Sequence, residues 1–582
     1  MNTTVSIPRP EYPNPQFARE NWINLNGEWE FERDRSDSGE ARGRHMAERL
    51  SETITVPFCM ESELSGVGDT DFCNAVWYRK AVTLPEDFSG EGKRVFLHIG
   101  ACDYRTTVYV NGERVGVHTG GYISFSFEIT AYLREGENAI TIRAQDDVRG
   151  RKQPAGKQSG RYGSYGCYYT RTTGIWQTVW LESTPAAYIK SFRVFPNPAE
   201  ERLGIEAAFV SDSPETFTAT AFYHGKKVGS AKAEITSASA VLELDLSELH
   251  LWELGNGELY DLTLTFGDDV VQSYFGMRTV ESRNGYLYLN GKPVFQRLVL
   301  DQGFYPDGIY TAPDDSELLA DIQRSMMMGF NGARLHQKIF EPRFLYHCDR
   351  LGYMVWEEHG NWGMDISNAD AWKFFPEWSE AVERDFNHPA IIGWCPFNET
   401  QINQDPDYLR FGYELTKRLD PTRPVIETSG WSHVAGVGDM MDWHDYDQNP
   451  ETFRQRYMDV ANGGTIVSKK HLTFEIRPTF ISEYGGIRWD IDNTAENSWG
   501  YGNTPQSEEE FLERFKGLAE ALLQNPFIGG LCYTQLTDVE QEINGLYTYG
   551  RKPKFDPAFF YGVLTQPAAF EQTAEQTGKD PR

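Results

Sequence analysis

The chain has 582 residues, a formal net charge of −30 and an isoelectric point near 4.9. This length is too great for one hydrophobic core, and it predicts about three or four domains. The acidic balance repels polyanions, so it argues against nucleic acid or an anionic membrane as the partner.

The seven cysteines are scattered and show no metal-ligand spacing, which favours a reduced, cytoplasmic compartment. The N-terminus lacks the pattern of a signal peptide, although a leader trimmed from the chain would leave the same start. No segment has the uninterrupted apolar length, about 18 residues, that a membrane span requires.

Residues 1–185 predict a β-sandwich of the jelly-roll type. Short runs alternate apolar and polar residues between turns, and Asn111-Gly112 is a strong signal for a two-residue hairpin. Residues 146–165 form a Gly-rich loop with five basic side chains, which is conspicuous in so acidic a chain. This loop is either a solvated surface loop or an element that reaches a functional cleft. Residues 186–280 again look strand-like and predict an immunoglobulin-like sandwich without clustered titratable groups.

Residues 281–582 predict a TIM (β/α)8 barrel, because buried strand-like runs now alternate with helical patterns. The first helical pattern runs from Asp314 to Gly329, with an acidic N-cap and a closing glycine. The predicted strands are Val294 to Leu300, Gly332 to His336, Met354 to Glu358, Ile391 to Trp394, Val425 to Thr428, Met440 to His444, Thr479 to Ile481 and Ile528 to Thr534.

Many of these strands end in polar or ionisable residues. The carboxyl ends of barrel strands meet around one rim, so residues far apart in sequence become neighbours there. The candidate site residues on this rim are Asp301, Arg334, His336, Glu358, Asn398, Glu399, His444, Tyr446, Glu483, Gln535 and Asp538. Taken alone, Glu399 could equally be an ordinary acid at a helix N-terminus.

Two carboxylates on one rim, Glu399 and Glu483, indicate glycoside hydrolysis, which needs no cofactor or metal. The chain has no GxSxG elbow, no phosphate-binding GxxxxGK[ST] loop and no HExxH motif. The histidines at 336, 388 and 444 match no common metal-site spacing. We therefore expect an oligosaccharide or glycoside as the partner, and a homo-oligomer is compatible with appended β-sandwiches.

Four motifs together resemble glycoside hydrolase family 2. Trp394 to Glu399 resembles its acid/base motif and Ser482-Glu483-Tyr484-Gly485 its nucleophile motif. Asn331-Gly-Ala-Arg-Leu-His336 is similar to its Asn-x-x-Arg strand, and Arg171-Thr-Thr-Gly-Ile-Trp176 to the signature of its sugar-binding domain. The motifs occur in the family's order, and the resemblance covers nearly the whole chain.

The resemblance implies a role for each matching residue. Glu483 would be the nucleophile and Glu399 the general acid/base of a retaining double displacement. Asn398 would bind the sugar 2-hydroxyl, and Arg334 would lie under Glu483 and hold it ionised. Tyr446 or His444 would orient the nucleophile or contact the sugar, with core packing as the alternative for either.

The choice of sugar is where the chain departs from its relatives. It lacks the Asn-x-Lys motif of the family's β-glucuronidases, and Gly166-Cys-Tyr-Tyr169 replaces an acidic position of galactosidase-type members. Asp301 and Asp307 suit the hydroxyls of a neutral sugar. We expect an exo-acting β-glycosidase of galactosidase type, with α-L-arabinopyranosides as a further candidate substrate because they share the ring stereochemistry. The alternatives are a β-glucuronidase or galacturonidase that uses the basic loop, and a non-catalytic carbohydrate-binding protein.

Overall fold

The computed structural model describes residues 7–283, 285–365, 369–401, 403–461, 477–491 and 498–577; the ends of the first and third predicted domains, 1–6 and 578–582, lie outside them. The N-terminal sandwich packs a four-stranded sheet, β1-β12-β5-β9, against a six-stranded sheet, β3-β2-β4-β10-β7-β8. The predicted hairpin is confirmed, because β7 and β8 pair antiparallel around Asn111 and Gly112 and both residues have positive φ. The strands are β1 (Trp22–Asn24), β2 (Gly27–Arg33), β3 (Glu52–Val56), β4 (Ala75–Thr83), β5 (Lys93–Ile99), β6 (Cys102–Asp103), β7 (Arg105–Val110), β8 (Glu113–Thr119), β9 (Phe125–Glu128), β10 (Glu137–Gln145), β11 (Gly174–Ile175) and β12 (Val179–Pro185).

A second, smaller sandwich follows with its own apolar core. Its sheets have the orders β13-β14-β17 and β16-β15-β18-β19, as expected for an immunoglobulin-like sandwich. The strands are β13 (Tyr188–Asn197), β14 (Arg202–Val210), β15 (Glu215–Tyr223), β16 (Lys226–Ile235), β17 (Ser239–Asp245), β18 (Tyr260–Phe266) and β19 (Asp269–Phe275).

A short three-stranded sheet, β20-β21-β22, leads into the barrel. The barrel sheet is parallel throughout, with the strand order β26-β25-β24-β23-β29-β28-β27. The strands are β20 (Val280–Arg283), β21 (Tyr286–Leu289), β22 (Lys292–Pro293), β23 (Gln296–Asp301), β24 (Gly332–Leu335), β25 (Met354–Glu358), β26 (Ile391–Cys395), β27 (Met441–Asp445), β28 (Thr479–Gly485) and β29 (Gly530–Thr534). The predicted fold class is thereby confirmed.

The predicted strand from Val425 to Thr428 is not a regular strand. The segment makes only isolated parallel bridges, Trp394 with Val425 and Asn398 with Ser429. Pro424 precedes it and has no N–H to donate, although its carbonyl accepts from the Trp394 N–H at 3.1 Å. The segment still runs along β26, and its Ser429 carbonyl accepts from the Glu399 N–H at 2.8 Å.

The helices surround the barrel as predicted, and α7 and α8 are additions that the sequence patterns did not indicate. Asp314 caps α1 by accepting from the Glu317 N–H, and Gly329 beyond its end has a φ of 94°. No helix of the described residues is long and apolar enough to cross a membrane. The helices are α1 (Asp315–Met327), α2 (Pro342–Leu351), α3 (Phe374–Asp385), α4 (Pro406–Leu419), α5 (Pro450–Ala461), α6 (Glu508–Leu523), α7 (Pro557–Leu564) and α8 (Ala569–Thr577).

The apolar core of the barrel continues into the N-terminal sandwich. Tyr122, Tyr169 and Trp176 belong to the same buried cluster as the barrel strands. Tyr122 and Trp176 both pack against Tyr310, which follows β23. This shared core fixes the sandwich on the carboxyl-terminal rim of the barrel, so loops of the sandwich can contribute to a site there.

Candidate active site

Glu399 and Glu483 reach the rim from opposite parts of the barrel sheet. Glu399 follows β26 with a φ of 50°, a left-handed conformation that is uncommon for a residue with a side chain. Glu483 lies inside β28, where the pairing with β27 slips between Trp443 and His444. Such an irregularity changes the direction in which side chains point, and it places Glu483 opposite His444.

The two carboxylates are joined by one imidazole. His444 Nδ1 lies 2.7 Å from Glu399 Oε1 and 3.2 Å from Glu483 Oε2. The other ring nitrogen, His444 Nε2, lies 3.3 Å from Arg334 Nη1 and 3.1 Å from Ser429 Oγ. An oxygen of Glu399 and an oxygen of Glu483 lie within 4.8 Å of each other.

Arg334 lies beneath this pair and is almost completely buried. Its Nη1 donates to Glu483 Oε1 at 2.7 Å, and its Nη2 donates to Glu358 and to Asn398 Oδ1. Burial alone would lower the pKa of Arg334, but the charges of Glu358 and Glu483 outweigh it and raise that pKa well above the usual value. Arg334 is therefore a permanent cation that orients three side chains of the site.

Asn398 presents an unused hydrogen-bond donor. Because its Oδ1 accepts from Arg334 at 2.6 Å, its Nδ2 must point the other way. This nitrogen is buried and has no partner among the described residues. An unsatisfied buried donor costs about 1–3 kcal/mol, so a ligand hydroxyl at this position would gain a ready partner.

Glu358 and His336 form a supporting layer. Glu358 is fully buried, yet its contact with Arg334 outweighs burial and lowers its pKa to about 2. His336 Nδ1 lies 3.0 Å from Glu358 Oε1, and burial lowers the pKa of this histidine, which keeps it neutral. Glu358 thus holds Arg334 in place, and His336 contacts Glu358.

Tyr446 donates its hydroxyl to Glu483 Oε2 at 2.5 Å. Burial, followed by the charge of Glu483, raises the pKa of this phenol well above its usual value, so it remains a donor. Its ring stacks on Tyr501 at 3.4 Å between centroids. Of the two roles left open for Tyr446, the contacts match orientation of the predicted nucleophile.

The structure does not bring Asp301 and Asp538 into contact with the carboxylate pair. Asp301 Oδ1 accepts from the Gly303 N–H at 2.9 Å, and burial raises its pKa to about 6. Asp538 Oδ1 accepts from Lys554 Nζ at 2.6 Å, and burial raises its pKa to about 7. Gln535 accepts from Gln302, which also donates to the Tyr169 hydroxyl at the edge of the cleft.

Several residues at the site were not predicted individually. Trp362 Nε1 donates to the Asn398 carbonyl at 3.2 Å, and Asn361 Oδ1 accepts from the Asn398 N–H at 2.9 Å. Glu542 accepts from the Tyr169 hydroxyl and from Asn544 Nδ2. These residues lie in long loops without a local motif, so only the charge of Glu542 could have drawn attention to any of them.

The atoms of Glu399, His444 and Glu483 also have a spacing that could hold a metal ion, the one such group among the described residues. The guanidinium of Arg334 contacts both His444 and Glu483, and a cation placed in this trio would lie close to that positive charge. The donor set therefore fits a proton-transfer site better than a metal centre.

Two family models match the chain. The sugar binding domain of glycosyl hydrolases family 2 matches residues 23–185, and the TIM barrel domain of the same family matches residues 280–506. The fold and the site together define the class of protein: a β-sandwich packs on the rim of a TIM barrel, and Glu399 and Glu483 lie at that rim. The chain belongs to glycosyl hydrolases family 2.

Proteins with similar sequences are named for one of two activities, beta-glucuronidase or beta-galactosidase. A putative beta-glucuronidase of Formosa agariphila is 26% identical over 86% of this chain and 46% of its own length. A beta-galactosidase of Thermoanaerobacter pseudethanolicus is 27% identical over 66% of this chain and 52% of its own length. The chain thus spans about half the length of the first curated relatives it matches.

Solved structures share the fold over nearly the whole chain. A beta-glucuronidase of Bifidobacterium dentium, complexed with coumarin-3-O-glucuronide, superposes with a TM-score of 0.80. Its sequence is 21% identical, and the match covers 95% of this chain and 98% of that one. At this sequence identity, the structural similarity is evidence for the fold only.

Proposed function

We propose that this protein is an exo-acting retaining β-glycosidase, with Glu483 as nucleophile and Glu399 as general acid/base. The observation that carries the proposal is the approach of their carboxylate oxygens within 4.8 Å. Retaining enzymes hold their carboxyl groups about 5–5.5 Å apart, whereas inverting enzymes need about 6.5–9.5 Å for a water molecule.

The surrounding contacts support these roles. Glu483 is held from both sides by Arg334 and Tyr446, which fixes its oxygens for attack on the anomeric carbon. The unused donor of Asn398 suits the sugar 2-hydroxyl, where a bond that strengthens in the transition state accelerates the reaction. A non-catalytic binding protein would have no need for this complete arrangement.

For the substrate class we propose terminal β-linked uronic acids, in place of the neutral galactosides that the sequence alone placed first. Among eight similar curated relatives, six are named beta-glucuronidase or putative beta-glucuronidase and two beta-galactosidase. Asp301, one of the two acidic residues expected to bind a neutral sugar, turns its carboxylate to the Gly303 N–H. Both observations favour a uronide.

The nucleophile is tested by covalent trapping. Incubation with 2-deoxy-2-fluoro-β-D-glucuronosyl fluoride should inactivate the protein, and peptide mass spectrometry should place the label on Glu483. Glu483→Gln should lose at least about 10⁴-fold in kcat, while Glu540→Gln, which can still accept from the Thr170 N–H, should keep its activity. A label on another residue, or turnover by Glu483→Gln, would refute the assignment.

The acid/base is tested separately. Glu399→Ala should lose activity most strongly on substrates with poor leaving groups, because these need protonation. Added azide should restore turnover of an activated aryl glycoside and give a β-glycosyl azide, since the anion attacks the anomeric carbon and displaces the Glu483 carboxylate without a general base. An α-azide product would contradict retention.

A further inference from the structure

The basic loop of the N-terminal sandwich delivers one buried cation to the barrel rim. Four of its five basic side chains are exposed, whereas Lys157 is only 6% exposed. The exposed four are Arg149, Arg151, Lys152 and Arg161. Burying a lysine is costly unless a partner compensates its charge, so this position requires an explanation.

The backbone before Lys157 is fixed to the barrel, and the carbonyl of Lys157 itself is bound within the sandwich. The N–H groups of Ala155 and Gly156 donate to the carbonyl of Trp362 at 2.8 and 3.1 Å, and the Tyr169 N–H donates to the Lys157 carbonyl at 2.8 Å. Gly156 has a φ of 54°, and a Cβ atom there would lie 2.4 Å from the Gln337 carbonyl oxygen. Only glycine fits this crossing, so the direction of Lys157 is set by the fold.

The ammonium group of Lys157 has no acidic partner among the described residues. Its Nζ lies 3.9 Å from the centre of the Trp362 ring, and no carboxylate of the described residues lies within 4.0 Å of it. Burial alone would lower the pKa of Lys157, but the Cys167 thiol and the carboxylates of Glu542, Glu399 and Glu483 raise it. The lysine is therefore charged, and the acidic groups of the candidate active site help to keep it so.

Trp362 connects this cation to the catalytic machinery. Its indole N–H donates to the carbonyl of Asn398, the residue before Glu399, while its ring face carries the ammonium group. An ammonium has three N–H groups, and the π-face of Trp362 occupies one side of the Lys157 ammonium. The remaining N–H groups of Lys157 therefore point away from the ring. A negatively charged ligand group could bind there without displacing a protein partner.

We propose that Lys157 is the specificity-determining residue that binds the carboxylate of a terminal uronic acid. This inference rests on the proposed function and deepens it by naming the residue that selects the substrate. A carboxylate would form a charge-assisted hydrogen bond in a largely desolvated place, where such bonds are strongest. A neutral sugar offers only a hydroxymethyl group there and leaves the buried charge uncompensated.

The test compares substrates that differ only at the sixth carbon. Wild type, Lys157→Met and the exposed loop control Lys152→Met are assayed on 4-nitrophenyl β-D-glucuronide and β-D-glucoside, and on the galacturonide and galactoside pair. Lys157→Met should lose about 10²- to 10³-fold in kcat/KM on the preferred uronide and change less than about threefold on its neutral counterpart. Lys152→Met should match wild type on all four.

Inhibitor binding supplies a readout without turnover. D-glucaro-1,5-lactone should bind Lys157→Met about 10²-fold more weakly than wild type, while D-glucono-1,5-lactone should bind both alike. Thermal unfolding reports whether the variant folds, and Lys157→Met should be at least as stable as wild type because it removes an uncompensated buried charge. Lys157→Arg keeps the charge and should retain part of the uronide preference.

The outcomes separate this inference from the proposed function. Equal losses on uronide and neutral substrates would mean that the charge of Lys157 acts only on the carboxylates of Glu399 and Glu483. That result would overturn the inference. Wild-type turnover of uronides with no effect of Lys157→Met would overturn it as well, while leaving the proposed function intact. Wild-type activity on neutral glycosides alone would overturn both the substrate class and the role of Lys157.

Discussion

Glu358 on the barrel rim and a group of buried carboxylates in the N-terminal sandwich behave in opposite ways. On the barrel rim, Glu358 contacts Arg334, and this cation holds the pKa of the carboxyl at about 2 despite complete burial. In the sandwich, Glu61 accepts from the Thr173 N–H at 3.0 Å, and its other oxygen has no partner in the part of the chain that the structure describes. Burial there raises the pKa of Glu61 to about 7.

The neighbours of Glu61 follow the same rule. Asp103 accepts from Gln158, Asp146 accepts from Gln153 and Thr173, and neither has a cation of the described residues within 4.0 Å. Burial raises the pKa of Asp103 well above its usual value and that of Asp146 to about 6. Neutral donors satisfy hydrogen bonds but do not keep a buried carboxylate ionised; a contacting guanidinium does.

The largest effect is expected from replacing Arg334, the cation that holds the pKa of Glu358 low. Arg334→Met leaves Glu358 and Glu483 buried without their partner, which should destabilise the protein by about 3–5 kcal/mol. It should also lower kcat by about 10²- to 10³-fold, because Glu483 loses a donor that orients it. Urea unfolding and kinetics on an aryl glycoside measure the two effects.

A double variant separates charge balance from orientation. Arg334→Met combined with Glu358→Met removes both charges of the buried pair, so it should regain part of the lost stability while kcat stays low. Arg334→Lys keeps the charge but not the two-pronged contacts, and it should fall between wild type and Arg334→Met in kcat. If Arg334→Met proved as stable as wild type, the contrast between the two regions would not depend on this cation.

The sequence predicted the paired carboxylates because their signal is local. Glu399 and Glu483 each follow a buried apolar run, and a barrel brings such strand ends together whatever the loops do. Arg334 lies on a strand as well, so its place on the rim followed from the same reasoning. The resemblance to a known family then assigned the roles, which no pattern of periodicity could have done.

The predictions that failed or stayed open depend on side-chain direction and on contacts between domains. Asp301 ends a strand like Glu399, but its carboxylate turns back onto the Gly303 N–H. The segment after Pro424 was apolar enough for a strand, yet it forms only isolated bridges. Lys157 reaches the site from a different domain, and its charge in an acidic chain was the only indication of it.

A smaller effect is expected from Glu61, on the sandwich side of the comparison. Its folded pKa of about 7 lies above the ordinary value of 4.5, so the folded state binds more protons between these pH values. The stabilisation is complete below about pH 4.5 and is lost as the pH rises through 7, by about 3 kcal/mol in all. Glu61→Gln does not titrate, so its stability relative to wild type should increase with pH over this range.

Urea unfolding at pH 5 and pH 8 measures this difference. Glu63→Gln changes an exposed carboxylate two residues away and should leave the pH dependence of wild type unaltered. A constant difference between Glu61→Gln and wild type at both pH values would show that Glu61 carries the same charge in the folded and unfolded states, contrary to the role of burial.

The smallest effect concerns a neutral donor on the rim. Tyr446→Phe removes the hydroxyl that donates to Glu483 at 2.5 Å but keeps the ring that stacks on Tyr501. A hydrogen bond to a charged group contributes about 1.5–3 kcal/mol, so kcat should fall by about 10- to 100-fold with little change in unfolding. Tyr484→Phe is the matched control. Tyr484 lies on β28 next to Glu483, and its hydroxyl is buried without a partner among the described residues. Equal kinetics of the two variants would leave Arg334 as the donor that orients Glu483 and would assign Tyr446 a packing role.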